Sequence, residues 1–465
     1  MTSAYLIGIC GTAMATLAAM LKAKGYDVRG SDANIYPPMD QFLSDQGIKP
    51  LLGFDEKHIT EDIDLVVIGN AVSRGNPEVE AVLDRRLRYA SFPEVLRDMF
   101  LWDKHPVVVA GTHGKTTTTS MIAWVLVECD KDPSFLIGGI SENFSSSFRL
   151  GHGDAFVVEG DEYDSAYFDK TAKCLKYLPQ IAVVGNVEFD HADIYQTVDQ
   201  VRQVFERFVS TVPRNGNVLL GADDVGARSL ATVPLCRVET FGLGEESDWR
   251  ATNLVYGDTA TCFSVEYGGR VVAEVAMPLL GAFNVRNALG AIAALSALGV
   301  SPGRAGQALG TFQGVRRRLE LRGTERGVSV YDDFAHHPTA VGETLRALRH
   351  VTQKGRLWAV FEPRSATSCR KIFQQSFAEA LAVADKVILA PVYRTQLPET
   401  ERLSVSALVE DLQASGTKAE SAQSIAGIRE LIVAGAKADD VVVFMSNGGF
   451  SGIHEMVLGD LRRLG

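Results

Sequence analysis

The clearest chemical signal in the chain is a run of glycine, lysine and threonine residues. It reads GTHGKTTTT over residues 111–119 and lies between two apolar segments, residues 107–110 and 121–128. This order predicts a strand, a glycine-rich loop and a helix, in which backbone N–H groups and the helix N-terminus converge on an anion. The pattern therefore indicates a phosphate-binding loop, although Val109 stands where the usual motif has its first glycine.

The loop residues have distinct predicted roles in nucleotide binding. Gly111 and Gly114 let the backbone approach the ligand. Lys115 reaches the β- and γ-phosphates, and the Thr116 hydroxyl holds Mg²⁺. The structural alternative is a glycine-rich turn followed by a stray lysine, but it gives no packing reason for four consecutive threonines. We therefore predict an ATP site that comprises Gly111, Thr112, His113, Gly114, Lys115, Thr116 and Thr117.

Two later strand ends add groups that suit a metal–phosphate site. Glu159 follows the apolar residues 155–158 in the run EGDEYDSAYF, and a carboxylate beside a triphosphate is a natural ligand for Mg²⁺. The next acidic residues of that run, Asp161, Glu162 and Asp164, are interpreted as a solvated acidic loop, and Glu159 is favoured as the ligand. His191 follows the apolar residues 181–184 in GNVEFDHAD; its alternative role is a packed or capping residue at or near a helix start.

The first hundred residues predict a second ligand site on a separate sheet. The turn GICGTA brings Gly11 and Thr12 to a helix start, and Asp32 ends the following strand, where it can meet a ribose hydroxyl. Cys10 and Ala13 replace two glycines of the dinucleotide fingerprint, which disfavours a dinucleotide but leaves a diphosphate at this helix start.

The loop from Asn70 to Arg74 follows the next predicted strand at the same edge. Such loops bind ligands in open α/β sheets. Arg74 either meets a phosphate or is a solvated loop residue, and the sequence leaves both interpretations open. Asn76 and Pro77 predict the start of the helix that follows.

Polar residues also lie on a later helix and at the junction that follows it. Asn284 and Asn287 are three residues apart and share one helix face, from which they read an adenine or cap the helix start. Arg318 ends a run of three arginines, which is either solvated or closes on a transferring phosphoryl group. In the last third, strand ends bring polar residues to one sheet edge, and His337 before Pro338 is equally a helix-start residue.

Composition bounds the class of protein. The 465 residues predict about three domains, and a net charge of −11 argues against a nucleic-acid or anionic-membrane surface as the main partner. No stretch approaches 18 apolar residues, and no signal peptide is expected. The six scattered cysteines have no metal-binding spacing, which is typical of free thiols in a reducing cytoplasm.

In chain order these motifs resemble those of the Mur ligases of peptidoglycan synthesis. The resemblance covers essentially the whole chain and rests on GTHGKTTTT, EGDEYDSAYF, NVEFDHAD, GAFNVRNALGAIAA, GVRRRLE, YDDFAHHP and MSNGGFSGIH. It implies an α/β protein of three domains. These are a Rossmann-like domain for the UDP-sugar (residues 1–104), a P-loop ATPase-like domain with a mainly parallel sheet (105–321) and a Rossmann-like domain for the amino substrate (322–465).

The resemblance also assigns roles to individual residues. It implies that Lys115 stabilises phosphates, that Thr116 and Glu159 hold one Mg²⁺ and that His191 is a ligand of a second. By the same resemblance, the residues that contact ATP are Asn284, Asn287 and Arg318, and those nearer the incoming peptide are His337, Arg364 and Ser446.

Within the family, the opening GICGTAMATLAAM is most similar to enzymes that join UDP-N-acetylmuramate to L-alanyl-γ-D-glutamyl-meso-diaminopimelate in peptidoglycan recycling. The alternative acceptor is L-alanine. Several branches use a carbamylated lysine in the central domain, but no lysine lies between Lys176 and Lys354, which agrees with the branch that accepts the muramate. Two other classes remain as alternatives, a nicotinamide-dependent dehydrogenase and a nucleotide sensor without catalysis.

Overall fold

Three sheets, each built mainly from parallel strands, organise the chain in the computed structural model, which describes residues 2–35, 39–144, 146–394 and 396–464. Their strands fall within residues 3–91, 105–277 and 320–445. The α/β class with mainly parallel sheets is therefore confirmed. The domain boundaries at 104/105 and 321/322 stay predictions, and the first strand of the third sheet begins at Glu320, ahead of the second boundary.

The first sheet is wholly parallel and has the strand order β3-β2-β1-β4-β5. Its strands are β1 (Ser3–Ile7), β2 (Asp27–Asp32), β3 (Leu51–Leu52), β4 (Leu65–Ile68) and β5 (Tyr89–Ser91). Its helices are α1 (Thr12–Ala23), α2 (Met39–Asp45), α3 (Pro77–Asp84) and α4 (Phe92–Leu96). The order reverses between β1 and β4, and the crevice outside such a reversal is where open α/β sheets bind ligands.

The second sheet has a parallel centre and antiparallel edges, in the order β15-β14-β13-β12-β11-β10-β6-β9-β7-β8. Its strands are β6 (His105–Ala110), β7 (Ser134–Ser141), β8 (Ser146–Arg149), β9 (Ala155–Gly160), β10 (Ile181–Val184), β11 (Asn217–Gly221), β12 (Arg237–Gly242), β13 (Trp249–Tyr256), β14 (Thr261–Tyr267) and β15 (Arg270–Met277). Its helices are α5 (Lys115–Glu128), α6 (Val198–Ser210), α7 (Val225–Ser229), α8 (Ala282–Ala297) and α9 (Pro302–Leu309). Strand β6 ends just before the predicted phosphate loop, its neighbour β9 carries Glu159 as its second-last residue, and β10 ends before His191, so that one sheet edge presents all three.

The third sheet is parallel except at its first strand and has the order β16-β17-β21-β18-β19-β20. Its strands are β16 (Glu320–Glu325), β17 (Val328–Asp333), β18 (Leu357–Phe361), β19 (Lys386–Leu389), β20 (Lys418–Ser421) and β21 (Val441–Met445). Its helices are α10 (Pro338–Val351), α11 (Gln374–Leu381), α12 (Val405–Ala414), α13 (Ile425–Gly435) and α14 (Ile453–Arg463). Apolar side chains cover both faces of this sheet, as burial between two helix layers requires.

Each sheet together with its helices is called a sheet unit below. One hydrophobic cluster joins the first sheet unit to the second. It runs from Leu17 and Leu21 on α1 to Val108 on β6 and Phe156 on β9, all of them buried. The two units therefore pack through side chains that would otherwise be exposed to water. Among the described residues, no helix combines the length and apolar character needed to cross a membrane.

Two expected helix starts differ from the structure. The helix after the phosphate loop begins at Lys115, six residues ahead of the expected Met121. Its first turns are therefore formed by Lys115 and the four threonines. The helix expected at or near His191 begins only at Val198, where Thr197 caps it. Glu159 lies inside strand β9, which continues to Gly160.

Candidate active site

All three sheet units border one cleft of about 830 Å³. The first unit contributes Thr12, the second contributes Lys115 and His191, and the third contributes Asp333 and Ser365. Of the sequence-predicted site residues, those that line the cleft are Thr12, Thr112, His113, Gly114, Lys115, Thr116, Thr117, Glu159, His191, Asn287 and Arg318. The loops that could hold a nucleotide, a sugar and an amine therefore meet in one space.

The phosphate loop adopts a backbone that requires its glycines. Gly111 and Gly114 have φ angles of +123° and +82°, which L-residues rarely adopt. A Cβ atom on Gly114 would lie 2.4 Å from Asn287 Oδ1, and one on Gly111 would lie 3.0 Å from the backbone oxygen of Asn186. The loop is further fixed by the His113 N–H, which donates to Asn186 Oδ1 at 2.7 Å.

We expect Gly114→Ala to weaken ATP binding at least about tenfold, because the left-handed backbone costs an L-residue roughly 1–2 kcal/mol and the new methyl group collides with Asn287. Calorimetric titration with a non-hydrolysable ATP analogue measures the change. Gly299→Ala is the matched control, since Gly299 also has a positive φ of +78° but has open space around its Cβ position. Equal ATP affinities in the two variants would contradict the assignment of the loop.

A buried ion-pair network extends from Lys115. Its Nζ donates to Glu162 Oε2 at 3.0 Å and to the Gly111 carbonyl at 2.7 Å, and His191 Nε2 lies 3.0 Å from Glu162 Oε1. Burial alone would raise the pKa of Glu162, but Lys115 and His191 lower it to about 2. The carboxylate therefore stays ionised, and it holds the lysine and the histidine side by side.

Thr116, Glu159 and Arg318 form a second group next to that network. The Thr116 hydroxyl donates to Glu159 Oε2 at 3.0 Å, and Arg318 Nη2 donates to Thr116 Oγ1 at 3.2 Å. Burial raises the pKa of Glu159. A hydroxyl and a carboxylate are oxygen ligands of the kind that Mg²⁺ binds, and a buried carboxylate gains when a cation neutralises it. These two side chains fit a magnesium ion beside the phosphate loop.

His191 has an unusual backbone. Its φ angle is +52°, a left-handed conformation that histidine adopts more readily than most residues. Burial lowers the pKa of the imidazole, but Glu162 outweighs burial and raises it. The neighbouring Asp190 accepts a hydrogen bond from the Thr367 hydroxyl of the third sheet unit.

The two asparagines of α8 act as a pair, as their spacing predicts. Asn287 Nδ2 donates to Asn284 Oδ1 at 3.2 Å, and Asn284 Nδ2 donates to the Leu280 carbonyl at 2.9 Å. Asn287 borders the cleft beside Gly114, whereas Asn284 is buried behind it. Asn284 therefore orients Asn287 from behind.

His337 is a helix-start residue that also contacts the second sheet unit. It caps α10, where its Nδ1 accepts from the Thr339 N–H at 3.4 Å, and its Nε2 lies 3.2 Å from the Phe189 carbonyl. The same Nδ1 lies 3.2 Å from Glu188 Oε2, and His113 Nε2 lies at an equal distance from that oxygen. Burial lowers the pKa of His337 to about 4, so the imidazole is neutral at pH 7.

Of the predicted residues of the first sheet unit, only some line the cleft. Thr12 lines it, and Gly11 is the residue before α1. Asp32 Oδ2 accepts from the Cys10 N–H at 2.9 Å, which ties β2 to the loop after β1. Asn70 is exposed. Arg74 is 66% exposed and makes two hydrogen bonds of 2.9 Å to Glu80, so within the described residues it is engaged on its own domain.

The predicted residues of the third sheet unit lie behind the cleft lining. The Ser446 hydroxyl donates to Glu362 Oε2 at 2.5 Å. Arg364 lies 3.8 Å from the same carboxylate and stacks on the Tyr393 ring at 4.1 Å. The neighbouring Arg394 does border the cleft.

Sequence reasoning missed two residues that hold the site together. Glu162, for which a solvated loop was one interpretation, is buried against Lys115. Asn186, from the run GNVEFDH, accepts from the phosphate loop. The acidic run was a visible signal for Glu162, but its position facing Lys115 depends on the turn after β9.

The whole chain matches known families and relatives. Residues 3–101 match the model "Mur ligase family, catalytic domain", residues 109–295 match "Mur ligase middle domain" and residues 317–448 match "Mur ligase, glutamate ligase domain". The Escherichia coli (strain K12) UDP-N-acetylmuramate–L-alanyl-gamma-D-glutamyl-meso-2,6-diaminoheptandioate ligase is 42% identical over 460 residues, which cover 99% of this chain and 98% of the relative.

One solved structure and one further relative were compared with this chain. The crystal structure of a murein peptide ligase from Psychrobacter arcticus 273-4 superposes with a TM-score of 0.72 at 36% identity, and the match covers 99% of each chain. The UDP-N-acetylmuramate–L-alanine ligase of Clostridium acetobutylicum is 30% identical over 455 residues, which cover 98% of this chain and 97% of the relative. The sequence identity is therefore higher to these relatives named for the peptide substrate than to this relative named for L-alanine.

Proposed function

This chain belongs to the Mur ligase family, and we propose that it joins UDP-N-acetylmuramate to the tripeptide L-alanyl-γ-D-glutamyl-meso-diaminopimelate in peptidoglycan recycling. As a member of that family it is an ATP-dependent ligase that forms C–N amide bonds. The choice of acceptor is supported by the 42% identity to a relative named for this tripeptide, against 30% for one named for L-alanine. We propose that it meets these small-molecule substrates in the cytoplasm.

One observation carries the catalytic proposal. Lys115, Thr116, Glu159 and His191 come from three strand ends of one sheet and face the same cleft, beside a loop whose glycines leave room for phosphate. This donor set suits a nucleoside triphosphate with Mg²⁺. We propose that Thr116 and Glu159 hold one Mg²⁺ and that His191 is a ligand of a second. When bound, the metal would neutralise phosphate charge.

The proposed reaction has two steps. A carboxylate is a poor electrophile for an amine, so the γ-phosphoryl group of ATP is first transferred to a carboxylate oxygen of the sugar nucleotide, which gives ADP and an acyl phosphate. The amine then attacks the carbonyl carbon, the C–N bond forms, and the C–O bond to the phosphate breaks. Both steps develop negative charge on phosphate oxygens, which donors fixed in a buried site stabilise best.

The chain's own residues supply those donors. Lys115 exchanges Glu162 and the Gly111 carbonyl for phosphate oxygens, while Glu162 keeps its bond to His191. Arg318 is partly buried beside Thr116 and brings a second cation to the phosphate loop from the junction before the third sheet. Because that contact crosses between two sheet units, correct placement of Arg318 couples the third unit to the nucleotide.

Steady-state ADP release tests the proposed acceptor. With ATP, Mg²⁺ and UDP-N-acetylmuramate, we expect turnover with the tripeptide and at most about 1% of that rate with L-alanine at equal concentration. L-Alanine lacks the second and third residues of the tripeptide, so the hydrogen bonds that a tripeptide site makes to them are lost. Turnover with L-alanine alone would assign the protein to the first amino-acid addition of biosynthesis. Slow ADP release that no acceptor stimulates would contradict a ligase and favour a nucleotide sensor.

A further inference from the structure

Lys173 is a buried lysine that the steps above do not use. It begins the short helical turn Lys173–Lys176 between β9 and β10, and its side chain is only 8% exposed. It nevertheless lines the cleft, so the little surface that it retains faces the site. In the described part of the chain, its recorded ion pair is with Asp161, at 3.8 Å between Nζ and Oδ2.

In the described part of the chain, the ammonium group of Lys173 has fewer hydrogen-bond acceptors than it has N–H donors. An ammonium has three N–H donors, and 3.8 Å is too long for a hydrogen bond. Asp161 Oδ2 already accepts from the Tyr163 hydroxyl at 2.8 Å. Within 2–35, 39–144, 146–394 and 396–464, no hydrogen bond joins Nζ to any residue other than Asp161. Burial lowers the pKa of this lysine, as expected for a charge with incomplete pairing.

Aromatic rings fix the direction of the side chain. Nζ lies 4.2 Å from the centroid of the Tyr163 ring and 5.7 Å from that of Phe92. Such contacts stabilise a cation from the ring faces but leave its N–H donors unused. Phe92 belongs to the first sheet unit and Tyr163 to the second, so the ammonium group lies where the two units meet.

The proposed function would bring the sugar nucleotide past this position. The cleft is lined both by Thr12 at the start of α1 and by the phosphate loop. A nucleotide sugar held by the first unit must cross this junction for its carboxylate to reach the phosphoryl group. Two kinds of anion would pass it, the diphosphate and the carboxylate.

We propose that Lys173 binds an anionic group of the sugar nucleotide at the junction of the first two sheet units. The inference rests on the proposed function, because it takes UDP-N-acetylmuramate as the ligand. The bound anion provides hydrogen-bond acceptors for the Lys173 ammonium group. The rings of Phe92 and Tyr163 keep that group in place before the ligand binds. Affinity for the sugar nucleotide therefore depends on this charge, and affinity for ATP does not.

Calorimetric titration of Lys173→Met tests the proposal. Methionine keeps an unbranched apolar stem between the rings and removes the charge. We expect the Kd for UDP-N-acetylmuramate to rise about 10- to 100-fold, the range for loss of a charged hydrogen bond, while the Kd for the ATP analogue stays within twofold. Lys170→Met is the matched control, since Lys170 lies in the same loop but is 66% exposed and paired with Asp164 at 2.8 Å.

A second ligand separates the two anions. UDP-N-acetylglucosamine has the diphosphate but lacks the carboxylate. Equal weakening of both sugar nucleotides would place Lys173 on the diphosphate, and weakening of UDP-N-acetylmuramate alone would place it on the carboxylate. Unchanged affinity for both, or an equal loss of ATP affinity, would overturn the proposal. Failure of the wild-type protein to bind UDP-N-acetylmuramate would instead contradict the proposed function itself.

Discussion

Replacing Lys115 with methionine is expected to lower the rate of acceptor-stimulated ADP release roughly 100- to 1000-fold, the usual effect of removing one preorganised donor from a developing anion. Lys115 is the cation at the start of α5 and faces the cleft. Its loss leaves the γ-phosphoryl group with one fewer positive charge in the cleft. Single-turnover ADP formation with saturating substrates measures the chemical step.

The fold should survive this change. Glu162 loses one partner but keeps His191 at 3.0 Å, so the carboxylate is not left unpaired. Lys131→Met is a suitable control, because Lys131 is exposed on the same domain and should leave both rate and melting temperature unchanged. A Lys115→Met protein that melts normally and releases ADP at a rate near that of the wild type would refute the assignment of this lysine.

The second large effect is expected for Glu159→Gln. The substitution keeps the size of the side chain and an oxygen that can accept from the Gly138 N–H, but it removes the negative charge that we assign to Mg²⁺. We expect ADP release to fall about 100-fold, which corresponds to about 2.7 kcal/mol of lost stabilisation. We also expect half-maximal activity to require a higher Mg²⁺ concentration. A titration of initial rate against Mg²⁺ at fixed ATP measures both quantities.

Glu128→Gln controls for the loss of one carboxylate from the same domain. Glu128 ends α5 on the exposed side of the protein, far along the helix from the phosphate loop. Its replacement should leave the Mg²⁺ dependence unchanged. If Glu159→Gln lowered the maximal rate but left the Mg²⁺ dependence at its wild-type value, Glu159 would have a role other than metal binding.

Local patterns were enough to predict much of the secondary structure around the candidate phosphate loop. The apolar segment at residues 181–184 is a strand with those bounds, because a buried parallel strand needs a short continuous apolar run. Asn76 and Pro77 start α3 as predicted. The spacing of Asn284 and Asn287 also places their side chains together.

What the sequence left open depends on contacts between distant segments. Glu162 meets Lys115 across 47 positions of the chain, and Arg318 meets Thr116 across 202. No local period encodes such distances. The threonines after Lys115 were not recognised as helical because β-branched residues have low helix propensity; burial against the sheet overrides that preference. Arg74 shows the converse, because its carboxylate partner Glu80 is only six residues away, a separation that the local sequence does encode.

The left-handed backbone at His191 has a consequence for which residues evolution can place there. At a φ angle of +52°, most side chains are strained, whereas histidine, asparagine and aspartate tolerate the conformation best among residues that carry a Cβ atom. Those three are also residues that can coordinate a metal ion. The backbone conformation and metal coordination therefore favour nearly the same few amino acids at position 191. We expect this position to vary little among functional variants, with asparagine and aspartate as its most tolerated replacements.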